Sequence, residues 1–150
     1  MGMISKNRKP DWLQIGGICL AILAALAAVL ISPKKSGPPE MPTIVREEYS
    51  GPTYGFLTAA DDQYLYVYYD EKGIVNVYRQ GGPFLFRIEL DHIPNGKGAI
   101  AARDGLLYVK ARGNIIYVFW GETLVDWAAF SAAEGHDNTR YERYAALMNG

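Results

Sequence analysis

The stretch from Leu13 to Ile31, LQIGGICLAILAALAAVLI, holds one polar side chain, Gln14, and no charge. As a helix it reaches roughly 28 Å at 1.5 Å per residue, enough to cross a hydrocarbon core. It is apolar on every face, whereas a helix packed on a soluble core carries one apolar stripe. The downstream chain therefore reads as a domain tethered to a membrane. A cleaved secretory signal is the competing reading. Such signals have apolar cores of about 7–15 residues that end in a small-residue cleavage site. This run continues through Val29-Leu30-Ile31 into Ser32-Pro33-Lys34-Lys35, which is a poor cleavage site and a good stop. We expect an uncleaved signal-anchor.

Lys6, Arg8, Lys9 and the amino terminus precede the run, against Lys34 and Lys35 after it. The positive-inside rule then favours a cytoplasmic N-terminus and an extracytoplasmic C-terminal domain. Gly17, Ala21 and Ala25 recur every four residues, a spacing that lets helix backbones approach in lipid. They form a candidate helix-packing face, although an Ala-rich anchor also produces this spacing by composition. The single Cys, Cys19, lies within the run, so the downstream domain cannot be stapled by disulfides.

The chain divides into a short tail (1–12), the anchor (13–31), a spacer (32–43), a β module (44–130) and a C-terminal helical segment (131–150). The spacer, SPKKSGPPEMPT, holds four prolines and reads as semi-extended. The formal net charge is −1, and residues 51–150 carry nine Lys or Arg against twelve Asp or Glu. A nucleic-acid partner needs a clustered basic face, so none is expected.

From Tyr54 onward, aromatic and β-branched residues come in short alternating bursts separated by turn residues. The bursts are 55–60, 64–69, 74–79, 84–90, 99–102, 106–110, 114–120 and 123–130, divided by separators such as Asp61-Asp62-Gln63, Gly81-Gly82-Pro83 and Asp104-Gly105. Eight short strands so spaced predict an antiparallel all-β domain. Ile44–Tyr49 offers a short strand before them. DQYLYV from Asp62 aligns with DGLLYV from Asp104, IVNVY from Ile74 with IIYVF from Ile115, and FLFRIEL from Phe84 with the segment from Thr123. The offsets are 42, 41 and near 40. A period of about 40–45 residues with four strands is the spacing of a propeller blade.

The segments GFLTAADDQYLYVYYDEKGIVNVYRQGGPFLFRI and GAIAARDGLLYVKARGNIIYVFWGETLVDW resemble NHL-type β-propeller repeats. The resemblance covers roughly residues 55–130, as units of about 55–90 and 98–130. It implies two four-stranded blades and, as in most such families, a binding role towards protein, peptide or RNA, although some such families are enzymes, and it maps no functional residue. Propellers close with about four to eight blades, and two are visible here. Chains that assemble into a ring, a two-sheet sandwich, and a truncated propeller all fit this number.

In the C-terminal segment, Thr139-Arg140-Tyr141-Glu142 has the pattern of a capping box. Tyr141, Tyr144, Ala145 and Met148 then form one apolar stripe of a helix over about 140–148. It is expected to cover a β face. A docking helix for a partner is the alternative.

No catalytic, cofactor or metal constellation is apparent. His92 and His136 are forty-four positions apart in turn-like segments. Asp61-Asp62 and Asp70-Glu71 suit Asx-type turns better than a calcium loop. Tyrosine is in excess. Tyr64, Tyr66 and Tyr68 share one face of a strand and form a candidate binding surface, although tyrosines also stabilise ordinary sheets by cross-strand packing. Leu65, Val67, Val75, Val77, Leu107, Val109, Ile116 and Val118 are the expected core. The expected function is a membrane-anchored, propeller-like binding or scaffolding module without catalysis or cofactor. Its partner would be another protein or further copies of itself. The alternatives are an accessory or sensor subunit of a membrane enzyme that recognises a peptide or glycan, and a truncated propeller protein.

Overall fold

A computed structural model describes residues 40–91, 97–111 and 114–150. The expected anchor and its Gly17, Ala21, Ala25 face lie outside them. Among the described residues, no helix is long and apolar enough to cross a membrane.

The domain is mainly β. Among the described residues nine strands run in order: β1 (Thr43–Val45), β2 (Leu57–Ala60), β3 (Tyr64–Tyr69), β4 (Ile74–Arg79), β5 (Phe84–Glu89), β6 (Ala99–Arg103), β7 (Leu106–Ala111), β8 (Ile115–Trp120) and β9 (Thr123–Ala129). One helix, α1 (Thr139–Asn149), follows. The strands form two antiparallel sheets, ordered β1-β5-β4-β3-β2 and β6-β7-β8-β9. Each contains a four-stranded meander, because short polar turns join successive strands and leave no length for crossovers. At the two-residue turn between β6 and β7, Asp104 and Gly105 both have positive φ, 52° and 78°. This is the primed geometry that follows the right-handed twist of a hairpin and that Asp-Gly adopts at low cost.

The two meanders correspond strand for strand. Leu65 pairs with Tyr78 in the first, and Leu107 pairs with Phe119 in the second. Val75 pairs with Ile88, and Ile116 with Ala128. Both also carry an irregularity at the same place. The register shifts between Val77 and Tyr78 in the first sheet and between Val118 and Phe119 in the second. Leu85 and Val125 are the extra residues, each bulging from the last strand of its meander. The first sheet exceeds the expected four strands because the Ile44 region folds back as β1 along β5.

Face-to-face stacking of the sheets makes the main core. Tyr66, Tyr68, Val75, Val77, Phe86 and Ile88 of the first sheet meet Leu107, Val109, Ala111, Ile115, Tyr117 and Phe119 of the second. The Tyr68 hydroxyl crosses between the sheets and donates to the Lys110 carbonyl at 3.0 Å. A second cluster lies on the far face of the second sheet. There Tyr108, Ile116, Val118 and Ala128 pack under Tyr141, with Tyr144, Ala145, Leu147 and Met148 alongside. The expected stripe of α1 is therefore the face that docks. The expected capping box does not form. Asn138 takes the N-cap position without a side-chain cap bond, and Asp137 accepts the Thr139 N–H at 2.9 Å. The Asn138 side chain instead clamps the Ser131 backbone, accepting its N–H at 2.9 Å and donating to its carbonyl at 2.7 Å.

The sheets stack in the same sense rather than as mirror halves. Leu107 and Val109 point into the inter-sheet core, while their counterparts Leu65 and Val67 point away from it and are half-buried. Tyr66 faces the second sheet, while its counterpart Tyr108 faces α1. The helix thus covers the face of the second sheet that matches the core-facing side of the first.

Candidate functional site

The outer face of the first sheet is the surface that this arrangement leaves. Its strand positions include Leu65, Val67 and Tyr69 on β3, Ile74, Asn76 and Tyr78 on β4, and Arg87 and Glu89 on β5. The corresponding face of the second sheet is the one buried against the first. Here the cover is a strap, residues 46–56, which leaves β1 at one edge, crosses the sheet and enters β2 at the other edge. Arg46 anchors its start through a two-pronged pair with Glu122 at 2.6 and 2.7 Å. Both groups are solvent-exposed, so this pair contributes little to stability.

Asn76 holds the strap down. It is the one buried polar side chain among the described residues, with no exposed surface. Its amide imitates a neighbouring strand, accepting the Tyr49 N–H at 3.1 Å and donating to the Tyr49 carbonyl at 2.9 Å. The same Nδ2 also donates to the Tyr78 hydroxyl at 3.2 Å, and that hydroxyl donates to Glu48 Oε1 at 2.5 Å. Partial burial together with the Glu48 carboxylate pushes the Tyr78 phenol up to about 12. A buried amide with every group partnered fixes one arrangement of its neighbours, since any shift leaves a donor or acceptor unmet.

Aromatic rings extend from this anchor. Tyr49 meets Tyr69 at a centroid distance of 5.1 Å, and Phe56 meets the same ring at 6.2 Å. A Cβ at Gly51 would lie 2.7 Å from the Tyr49 hydroxyl oxygen, so a larger residue there would displace this ring, whose hydroxyl donates to the Pro52 carbonyl. The Thr53 hydroxyl donates to the Gly55 carbonyl and accepts the Gly55 N–H, closing a small loop. Tyr54 sits at its tip and is 94% exposed, and Phe56 is 60% exposed. Exposed apolar residues are ordinary when scattered singly. These two lie beside an aromatic cluster on a strap held by side-chain and main-chain bonds.

The tyrosines proposed from the sequence as a surface lie elsewhere. Tyr66 and Tyr68 are core residues, 3% and 0% exposed, and Tyr64 is half-buried beside them. Both faces of β3 are apolar, and the tyrosine face is the one the second sheet covers. Burial raises the phenol pKa of Tyr66 and Tyr68. The expected burial of Leu65 and Val67 is correspondingly only partial. Asp61 accepts the Gln63 and Tyr64 N–H groups at 2.8 and 2.7 Å, an Asx turn. Asp70 accepts from Glu71 and Gly98. Among the described residues no group of His, Cys, Asp or Glu is arranged to hold a metal ion. His136 approaches the Ala129 carbonyl, and His92 lies outside the described residues. Asp62, Gln63, Tyr64, Arg79 and Gln80 line a shallow polar groove at the turn end of the first sheet.

Asn76 and the strap were not foreseen from the sequence. The available signal was a lone amide amid apolar residues in IVNVY, together with Gly51-Pro52 ahead of Tyr54. No protein family, curated protein or solved structure matches the chain.

Proposed function

We propose that the chain is a single-pass membrane protein whose extracytoplasmic domain is a non-catalytic binding or scaffolding module of two propeller-blade-like units. The observation that carries this is the outer face of the first sheet. Its half-buried Leu65, Val67 and Ile74 occupy positions whose counterparts in the second sheet are buried against a partner sheet. The strap covers it only in part. The Leu13–Ile31 run supports the anchor, and the matching register and bulges support the blade-like units. With α1 seated on the second sheet, this reading favours a protein partner on the first sheet over a ring of copies. The polar groove at Tyr64, Arg79 and Gln80 favours a second reading, an accessory subunit that recognises a peptide or glycan.

The test uses the full chain in native membranes, with a photo-crosslinking residue placed singly at Val67, Gln80 or Ala132. A discrete protein adduct from position 67 alone supports the first reading. An adduct from position 80 alone supports the second. Uniform labelling from all three positions rejects both.

A further inference from the structure

Strand register defines two ends of the first sheet. At one end Thr43 pairs with Glu89, Glu89 with Ile74 and Ile74 with Tyr69, while Leu57 pairs with the adjacent Tyr68. Met41, just before β1, and Tyr54 and Phe56, just before β2, therefore lie at this same end, beside opposite edges of the sheet. They are 66%, 94% and 60% exposed. Among the described residues, the strongly exposed Trp120 lies away from this end, as the last residue of β8 in the second sheet, beside the turn that carries Glu122. The chain also enters the domain at the Met41 end, about ten residues after the apolar run stops at Ile31.

We propose that Met41, Tyr54 and Phe56 form a contact with the membrane interface, so that the domain rests on the lipid surface by its entry end. The proposal rests on the tethered reading above and names lipid as the occupant of that end of the first sheet. Tyrosine suits the headgroup region, where an apolar ring and a polar hydroxyl are both accommodated. The Thr53–Gly55 loop holds Tyr54 outward before any contact forms, so little ordering cost remains. The tether keeps the local lipid concentration high, and a contact too weak to recruit a free protein then persists. Among the described residues, the charges at this end are Glu40, Asp70, Glu71, Glu89 and Asp91 against Lys72 and Lys97, an acidic balance that an anionic lipid surface would repel. The contact should therefore form on zwitterionic lipid.

The experiment reconstitutes the full chain, carrying Cys19→Ser, into phosphatidylcholine vesicles. A single cysteine at Tyr54, Phe56 or Trp120 carries an environment-sensitive dye. All three sites are solvent-exposed, so labelling leaves the core intact. Spin-labelled phosphatidylcholine should quench the dyes at 54 and 56 by about two-fold or more and leave the dye at 120 unchanged. Equal quenching at all three, or none at 54 and 56 in a chain that resists alkaline carbonate extraction, overturns the contact and leaves the anchor standing. Release of the chain by carbonate overturns the anchor and the contact together. Dyes at 54 and 56 that lipid does not quench, but that become shielded from aqueous iodide in native membranes, assign this end to a protein and overturn the lipid contact.

Discussion

Asn76 carries more of the architecture than its size suggests. It satisfies both main-chain groups of Tyr49 and orients the Tyr78 hydroxyl toward Glu48. Asn76→Ala removes these bonds and opens a small void. We expect a loss of about 1–3 kcal/mol in urea unfolding, with increased protease cleavage confined to residues 46–56. Asn76→Asp keeps an acceptor for the Tyr49 N–H but loses the donor to its carbonyl and buries a charge, so it should be at least as damaging. The buried phenols set a pH dependence. Tyr78 and Tyr117 are each raised to about 12 from an ordinary value of 10, by burial first, with Glu48 acting on Tyr78 and Asp91 on Tyr117. A group whose pKa is higher folded than unfolded stabilises the fold fully below the unfolded value. That stabilisation is lost as pH rises through the folded value. Unfolding free energy should therefore fall between about pH 10 and pH 12, and Tyr78→Phe should make the fall shallower. Stability measured across that window, with phenolate absorbance alongside, checks the sign.

At the scale of elements, α1 turns a sheet with one partner into a sheet covered on both faces. Tyr141 is its central contact, against the cluster of Tyr108, Ile116, Val118 and Ala128 and beside Phe130. Tyr141→Ala should cost about 3 kcal/mol by chemical denaturation and increase binding of a hydrophobic dye as the helix loosens. Asp126 accepts from the Tyr144 hydroxyl and pairs with Arg140 at 3.3 Å, holding the helix to β9 from its polar side. The strands and this helix were legible in the sequence because their signals are local: alternation, turn residues and an i, i+3, i+4, i+7 stripe. Which face of β3 is buried was not. YLYVYY is apolar on both sides, and only the position of the second sheet decides between Tyr66 with Tyr68 and Leu65 with Val67. The capping box was legible as a pattern and failed as geometry. Asn138 is committed to Ser131, seven residues back, and the helix begins one residue earlier than the pattern implies.

At the scale of the whole domain, the inter-sheet core is one unit to which both sheets contribute equally. Val77 lies at its centre with no exposed surface, and Tyr66 and Phe86 flank it across the strands. Val77→Asp places an unpaired charge there and should cost about 3–5 kcal/mol, enough to leave much of the chain unfolded at 25 °C. A melting temperature equal to the parent's would remove Val77 from the core. The strap and its candidate face were beyond the reach of sequence reasoning for the same reason as the β3 face. They depend on a contact between residues twenty-seven positions apart, Tyr49 and Asn76, which no periodicity encodes. The parallel stacking of the two meanders also bears on how the chain tolerates change. Leu65 and Leu107, or Val67 and Val109, occupy matching places in their strands yet have different neighbours, one half-covered and the other sealed. Asn76 and Tyr117 stand at one such place with opposite chemistry, an amide under the strap and a ring under a sheet. Substitutability along this chain therefore follows the direction a side chain points rather than the strand position it holds. A polar replacement that is mild at residue 65 is severe at residue 107, although the two leucines sit in nearly the same words of sequence.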